Sequence, residues 1–267
     1  MTGDSTHFRE GALIQAPFSL IFVYLQFIKN FTMRLLLISN STNAGEQYLE
    51  YAKSNISDFL GKNPVKALFI PYAAVMFSFD EYESRVRESL RETGHDIESV
   101  HRFSNPAEAV KNASAIIVGG GNTWKLLGMI RDNGLVEAVR DKIKSGTPYI
   151  GWSAGSNVAC PTIMTTNDMP VIMPDSTNAF NFIPFQINPH YLDANPAGHA
   201  GETREQRINE FIEMNPGIYV LGLREGTMLL VENANISLIG GKNARLFFQG
   251  AIPVELSSKD DLSFLMK

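Results

Sequence analysis

The sequence predicts an α/β domain built on a mostly parallel central sheet, and three observations carry that reading. From Met33 onward, apolar runs of strand length alternate with amphipathic stretches of helical period, the pattern of parallel strands joined by helical crossovers. Several of these runs end in polar or glycine-rich residues, at Asn40-Ser41-Thr42 and Gly119-Gly120-Gly121-Asn122. In open α/β sheets ligands bind at such carboxyl ends. The third observation is the stretch Tyr149 to Asn157, in which a buried strand passes through Gly151-Trp152-Ser153-Ala154-Gly155 into a helix. This Gly-x-Ser-x-Gly spacing is that of a nucleophile elbow, where small flanking residues let a sharp turn lift a serine hydroxyl off the sheet edge. Taken alone, the five residues fit equally a glycine-rich turn whose serine caps a helix.

The elements follow in order. Arg34 to Ser39 is a fully buried strand, followed by a helix from about Glu46 to Leu60 that closes at Gly61. Val65 to Ile70 is the second strand, stopped by Pro71, and Phe79 to Thr93 a charged amphipathic helix ended by Gly94. Asp96 to His101 is the third strand, and a short helix from Pro106 leads to the fourth, Ala115 to Val118. A helix from Thr123 to about Lys144 carries a break at Asn133-Gly134, before the fifth strand, Pro148 to Trp152. Beyond the elbow, Thr162 to Pro189 is rich in Pro, Met, Asn and Thr and reads as irregular or short-stranded structure, and Ile208 to Glu213 as helical. Apolar runs at Ile218–Leu223, Met228–Val231, Ile236–Ile239 and Leu246–Phe248 are separated by turn residues, which predicts antiparallel strands continuing the same sheet. Residues 33–267 are expected to form one catalytic domain. Residues 1–32 read as an N-terminal extension: the apolar run Ala16 to Ile28 is shorter than the roughly 20 residues of a membrane helix, and it has neither the basic flank nor the cleavage site of a signal peptide.

Composition narrows the function classes. With 44% apolar and 19% charged residues the 267-residue chain is ordinarily globular. A net charge of −5 gives no footprint for nucleic acid, and it requires a local cation for any acidic substrate. The single cysteine, Cys160, precludes an internal disulfide, fits a reducing compartment and has no clustered partner for a metal. A cytoplasmic protein without a membrane segment is expected.

A serine is a poor nucleophile until a base takes its proton. Downstream of Ser153 stand His190, at the end of the apolar strand Gln186-Ile187-Asn188-Pro189, and His199, in a glycine-rich loop. His190 is the better base because a strand end places it rigidly. His95 and His101 read as edge or exposed positions. The carboxylate that would hold the imidazole is Asp168 or Glu225, and spacing does not choose between them. The backbone N–H of Ala154 is the automatic first donor to an oxyanion, and the run Gly119-Gly120-Gly121 can present a second. That run lacks the spacing of a phosphate loop.

Together, Ser39-Asn40-Ser41-Thr42, Gly119-Gly120-Gly121-Asn122-Thr123, Gly151-Trp152-Ser153-Ala154-Gly155-Ser156-Asn157 and Asn188-Pro189-His190 resemble, in one collinear order, the peptidase E family of α-aspartyl dipeptidases. The resemblance implies a class I glutamine-amidotransferase-like fold with serine in place of cysteine, and release of aspartate from Asp-X dipeptides without metal or organic cofactor. It makes Ser153 the nucleophile and His190 the base. It favours Asp168 as the third member, with Glu225 as the substitute, and puts Gly121 and Ala154 at the oxyanion hole. Arg204 falls where the family has an arginine for the aspartyl side chain, and a guanidinium suits a carboxylate as a two-pronged donor. Two alternatives stand beside this: a cyanophycinase-like hydrolase of an aspartate-containing polymer, and a non-catalytic binding protein of the same fold. A general α/β-hydrolase fits less well, because only 37 residues separate Ser153 from His190.

Overall fold

The computed structural model describes residues 33–195, 197–198 and 200–267. The expectation for residues 1–32 and the rejected base His199 lie outside the described residues. Five parallel strands make the heart of the molecule: β1 (Arg34–Ile38), β2 (Lys66–Ile70), β3 (Asp96–Ser99), β4 (Ala115–Val118) and β5 (Tyr149–Trp152). Together with β8 (Thr227–Glu232) and β9 (Asn235–Gly240), they form a seven-stranded sheet in the order β3-β2-β4-β5-β1-β8-β9. The hairpin β8–β9 turns at Asn233, whose φ of +61° is one that asparagine tolerates, and β8 runs antiparallel along β1.

Every residue of β4 and β5 is buried, as expected of a strand covered on both faces, whereas the edge strand β3 alternates exposed and buried. Successive side chains of β1 divide between two cores. Leu36 and Ile38 join Phe69, Ile150 and Trp152 on one face; Leu35 and Leu37 join Ile70, Ile116 and Val118 on the other. The first face is covered by α1 (Lys53–Leu60) and α2 (Phe79–Leu90) through Ile56, Phe59, Tyr82 and Val86. The second is covered by α3 (Pro106–Asn112), α4 (Thr123–Asp132) and α5 (Leu135–Lys144), through residues such as Val110, Leu126 and Val139. Each large aliphatic side chain so buried contributes about 1.5–3 kcal/mol. The outcome is a three-layer α/β domain.

The break foreseen between α4 and α5 is real and falls at Gly134, with φ +65°. The first helix is shorter than its pattern suggests. Leu49 adopts φ +59° and donates its N–H to Ser41 O at 2.6 Å, folding 41–49 back over the end of β1. Regular α-helix therefore begins only at Lys53.

The late strands depart from the expected single sheet. Strands β6 (Gln186–Tyr191) and β7 (Val220–Arg224) pair in parallel and join β10 (Ala244–Phe247) and β11 (Val254–Leu256) in a second sheet of order β11-β10-β7-β6. The β8–β9 hairpin occupies the free edge of β1, so the remaining strands satisfy their backbone groups among themselves. A helix, α7 (Arg204–Met214), entered through a capping box at Thr203 and Gln206, packs Ile208 and Ile212 against Tyr191, Val220 and Phe247. Among the described residues no helix is long and apolar enough to cross a membrane.

Candidate active site

Ser153 is the corner between β5 and the short helix α6 (Ala154–Asn157), with φ +53° and ψ −110°. This backbone is strained for any residue with a Cβ. It is held by the Ser153 N–H donating to Ile38 O at 3.0 Å and by Ser156 N and Asn157 N donating to Ser153 O at 2.9 and 3.0 Å. The flanking glycines are required by contact. A Cβ at Gly151 would lie 2.5 Å from Gly155 O, and one at Gly155 would strike the Val118 carbonyl.

The Ser153 Oγ lies 3.0 Å from His190 Nε2, and His190 Nδ1 lies 2.7 Å from Glu225 Oε1. His190 occurs at a register shift between β6 and β7, with φ +54°. Such an irregularity bends the strand locally and re-aims a side chain. Glu225 stands at the turn between β7 and β8, so the two sheets each supply part of the constellation.

The end of β1 joins these parts. Ser39 is fully buried; its Oγ accepts the His190 N–H at 3.0 Å and donates to Leu223 O at 2.7 Å. Next to it, Asn40 Oδ1 accepts from Gly226 N at 2.8 Å and from the Tyr51 hydroxyl at 2.6 Å, fixing the turn that carries Glu225.

Asp168 is occupied elsewhere. Its Oδ2 accepts from Thr123 N at 2.8 Å, Thr123 Oγ1 at 2.6 Å and Thr166 Oγ1 at 3.1 Å, at the N-terminus of α4, where a carboxylate is favoured. It borders the same cavities as Ser153, but the carboxylate hydrogen-bonded to His190 is that of Glu225. Gly121 has φ +130°, and a Cβ there would strike the Ala73 carbonyl, so the loop after β4 can adopt this path only with glycine. Gly120 and Gly121 line a cavity with Ser153, while the buried Ala154 opens α6, where its N–H has no partner within the helix.

Ser153 and His190 line two cavities. One, of about 360 Å³, includes Asn157, Asn167, Asp168 and Arg204 in its wall. The other, of about 430 Å³, includes Ser41, Tyr48, Phe77, Arg85 and Gly120. Arg204 is half-buried and donates from Nη1 to Asn167 Oδ1 at 2.7 Å. Its acidic neighbours are engaged by other cations, Glu202 by Arg207 and Glu205 by Arg245, and no described carboxylate pairs with it. Burial lowers the Arg204 guanidinium pKa, the nearby Arg207 adds to this, and Asp168 opposes both. The arrangement is a cation in want of an anion.

A larger depression, about 670 Å³ beside Glu83 and Arg102, contains neither Ser153 nor His190 and has no part in this chemistry. Among the described residues Asp80, Glu83 and His101 have metal-ligand spacing, yet the oxygens of Glu83 already accept from Ser99 N and Arg102 Nε.

The sequence reading assigned no role to Ser39 or Asn157, although both lie in stretches it singled out. Asn157 is 2% exposed, lines the Arg204 cavity and leaves its Oδ1 without a partner. A polar residue ending a buried strand was the available signal for Ser39.

A strained serine at a strand–helix corner, in hydrogen-bond reach of a histidine that is itself oriented by a carboxylate, on an α/β sheet, defines a serine hydrolase of the acyl-transfer class. Residues 35–239 match the model of peptidase family S51. The chain is 50% identical over 234 residues to a peptidase E of Nostoc sp., covering 88% of this chain and 97% of that protein. A peptidase E of Streptomyces coelicolor is 46% identical over 235 residues (88% and 95%), and one of Salmonella typhimurium 46% over 217 (81% and 94%). The fold recurs in the crystal structure of a peptidase from an acI-B1 actinobacterium, at TM-score 0.65 and 18% identity over 89% of this chain and all of that one. It recurs also in a putative peptidase E protein of Listeria monocytogenes, at TM-score 0.53 and 22% identity over 85% of this chain and all of that one. The chain belongs to peptidase family S51 and is a serine-type peptidase.

Proposed function

We propose that the protein is a cytoplasmic dipeptidase that releases aspartate from Asp-X dipeptides through an acyl-enzyme, with Ser153 as nucleophile, His190 as base and Glu225 as the carboxylate behind it. The observation that carries the aspartyl preference is Arg204, a half-buried guanidinium without a carboxylate partner among the described residues, in a cavity that opens on Ser153. On a chain of net charge −5, it is a local cation for an acidic side chain.

His190 Nε2 takes the Ser153 proton as Oγ adds to the aspartyl carbonyl, and the Ala154 and Gly121 N–H groups receive the negative oxygen. Glu225 accepts from Nδ1–H, which keeps Nε2 free to act as base and stabilises the imidazolium. His190 then returns the proton to the departing amine. Water, deprotonated by the same nitrogen, releases aspartate from the acyl-enzyme. Asp168 Oδ1, which accepts no hydrogen bond from the described residues, is the acceptor for the substrate ammonium.

The test compares hydrolysis of Asp-Leu, Ala-Leu, Glu-Leu and N-acetyl-Asp-Leu. The expected result is a preference for Asp-Leu with its free amine, abolished in Ser153→Ala. Equal turnover of Ala-Leu, or a Ser153→Ala variant that still hydrolyses Asp-Leu, would refute it.

A further inference from the structure

We infer that Arg85 receives the free α-carboxylate of the leaving residue, so that the second cavity bordering Ser153, which Arg85 lines and Arg204 does not, selects dipeptides over longer or blocked substrates. The inference rests on the Asp-X reading, since it takes the Arg204 cavity as the place of the acyl half. The leaving amine must then depart through the other cavity, whose wall also includes His190, the group that returns its proton.

In that cavity Arg85 is the cation. It projects from α2 and is exposed, with its guanidinium carbon 5.0 Å from the centre of the Phe77 ring and 5.8 Å from that of Tyr48. Stacking on two rings fixes the plane of a guanidinium while leaving its N–H groups free. No hydrogen bond or ion pair joins Arg85 to a described residue. The acid one turn away, Glu81, is committed to the capping box, accepting from Ser78 N at 2.7 Å and Ser78 Oγ at 3.0 Å. Burial, and after it the neighbouring Tyr82, raise the Tyr48 phenol well above its usual pKa, so that ring stays neutral and supplies no counter-charge.

The charges then match a dipeptide and not its derivatives. At neutral pH an Asp-X dipeptide carries an ammonium and two carboxylates, and Asp168, Arg204 and Arg85 offer one opposite charge to each. The peptide bond lies between, at Ser153. A tripeptide puts its carboxylate one residue further on, and an amide or anilide has none.

The experiment measures kcat/KM for Asp-Leu and Asp-Leu-amide with the wild type, Arg85→Ala and Arg85→Lys, and includes Asp-p-nitroanilide with the wild type. The wild type should prefer the free acid by about tenfold, chiefly through KM, which corresponds to ~1.4 kcal/mol for one partly exposed charge-assisted contact. The ratio should fall to near one in Arg85→Ala and lie between the two in Arg85→Lys. A wild-type ratio near one, or a ratio unmoved by Arg85→Ala, would overturn the inference while turnover of Asp-p-nitroanilide left the aspartyl reading standing. Failure of the wild type on all three aspartyl substrates would remove the reading itself, and the inference with it.

Discussion

Replacing Glu225 with glutamine, and separately Asp168 with asparagine, divides the two carboxylates by the step each serves. Both changes keep side-chain shape. In Glu225→Gln, the amide can donate to Nδ1 and so favour the imidazole tautomer that carries its proton on Nε2, where it cannot accept from Ser153. In fully buried triads this kind of change lowers kcat by about 10⁴. Here the His190 and Glu225 side chains are 38% and 43% exposed, so water replaces part of what is lost. The expected fall is roughly 10²–10³ in kcat, or about 3–4 kcal/mol, with KM little changed. Asp168→Asn removes negative charge from the amine-binding position and from the loop carboxylate that meets the N-terminus of α4 at Thr123. We expect KM to rise about tenfold, kcat to fall less than that, and Tm to drop by about 2–4 °C as ~1 kcal/mol of charge-assisted bonding to Thr123 is lost. Steady-state hydrolysis of Asp-p-nitroanilide and thermal melts measure all of this. A hundredfold loss of kcat in Asp168→Asn, beside less than tenfold in Glu225→Gln, would refute the assignment of Glu225.

Three further outcomes are expected. Ser39→Ala strips partners from the His190 N–H and the Leu223 carbonyl, at a cost of about 1–3 kcal/mol per buried group. Denaturant melts should show that cost, and kcat should fall about tenfold at unchanged KM, because the histidine is less well held. Gly121→Ala should lower kcat at least about a hundredfold in the same assay, since the loop must abandon its positive φ and with it an oxyanion donor. Cys160, whose thiol is pushed by burial from 9.0 up to about 12, should resist a disulfide reagent in the folded protein and react fully in denaturant. Because its folded pKa is the higher one, its contribution to stability is complete below pH 9 and is lost as pH rises from 9 towards about 12. Urea midpoints over that window should fall less steeply for Cys160→Ala.

The parallel sheet was legible because its inner strands β1, β4 and β5 are apolar nearly without alternation, as burial on two faces requires, while only the edge strand β3 alternates. The nucleophile and base were legible for a different reason. Chemistry restricts Ser153 and His190 to few residue types, and glycines mark where a backbone must pass close. What did not show was the partner of the histidine. Asp168 and Glu225 both stand in turns, and which one reaches Nδ1 depends on the register shift at His190 and on β7 leaving the main sheet, two long-range outcomes with no local signature. The truncated first helix has the same origin. Residues Glu46 to Leu60 are helix-compatible, and the contact of Leu49 with Ser41 that unwinds their start spans the end of β1.

Ser153 and His190 both have a positive φ, +53° and +54°, a region that glycine enters most freely, and each holds it at a cost of order 1 kcal/mol or more. The two residues that do the chemistry are therefore ones the fold would gain by giving up. Glycine at position 153 or 190 should yield a protein that resists heat better and hydrolyses nothing. Laboratory evolution for thermal endurance alone would drift toward such dead sequences, and an enrichment of glycine at these two positions, in a library selected without substrate, would record how much free energy the peptidase withholds from its own stability for the sake of function.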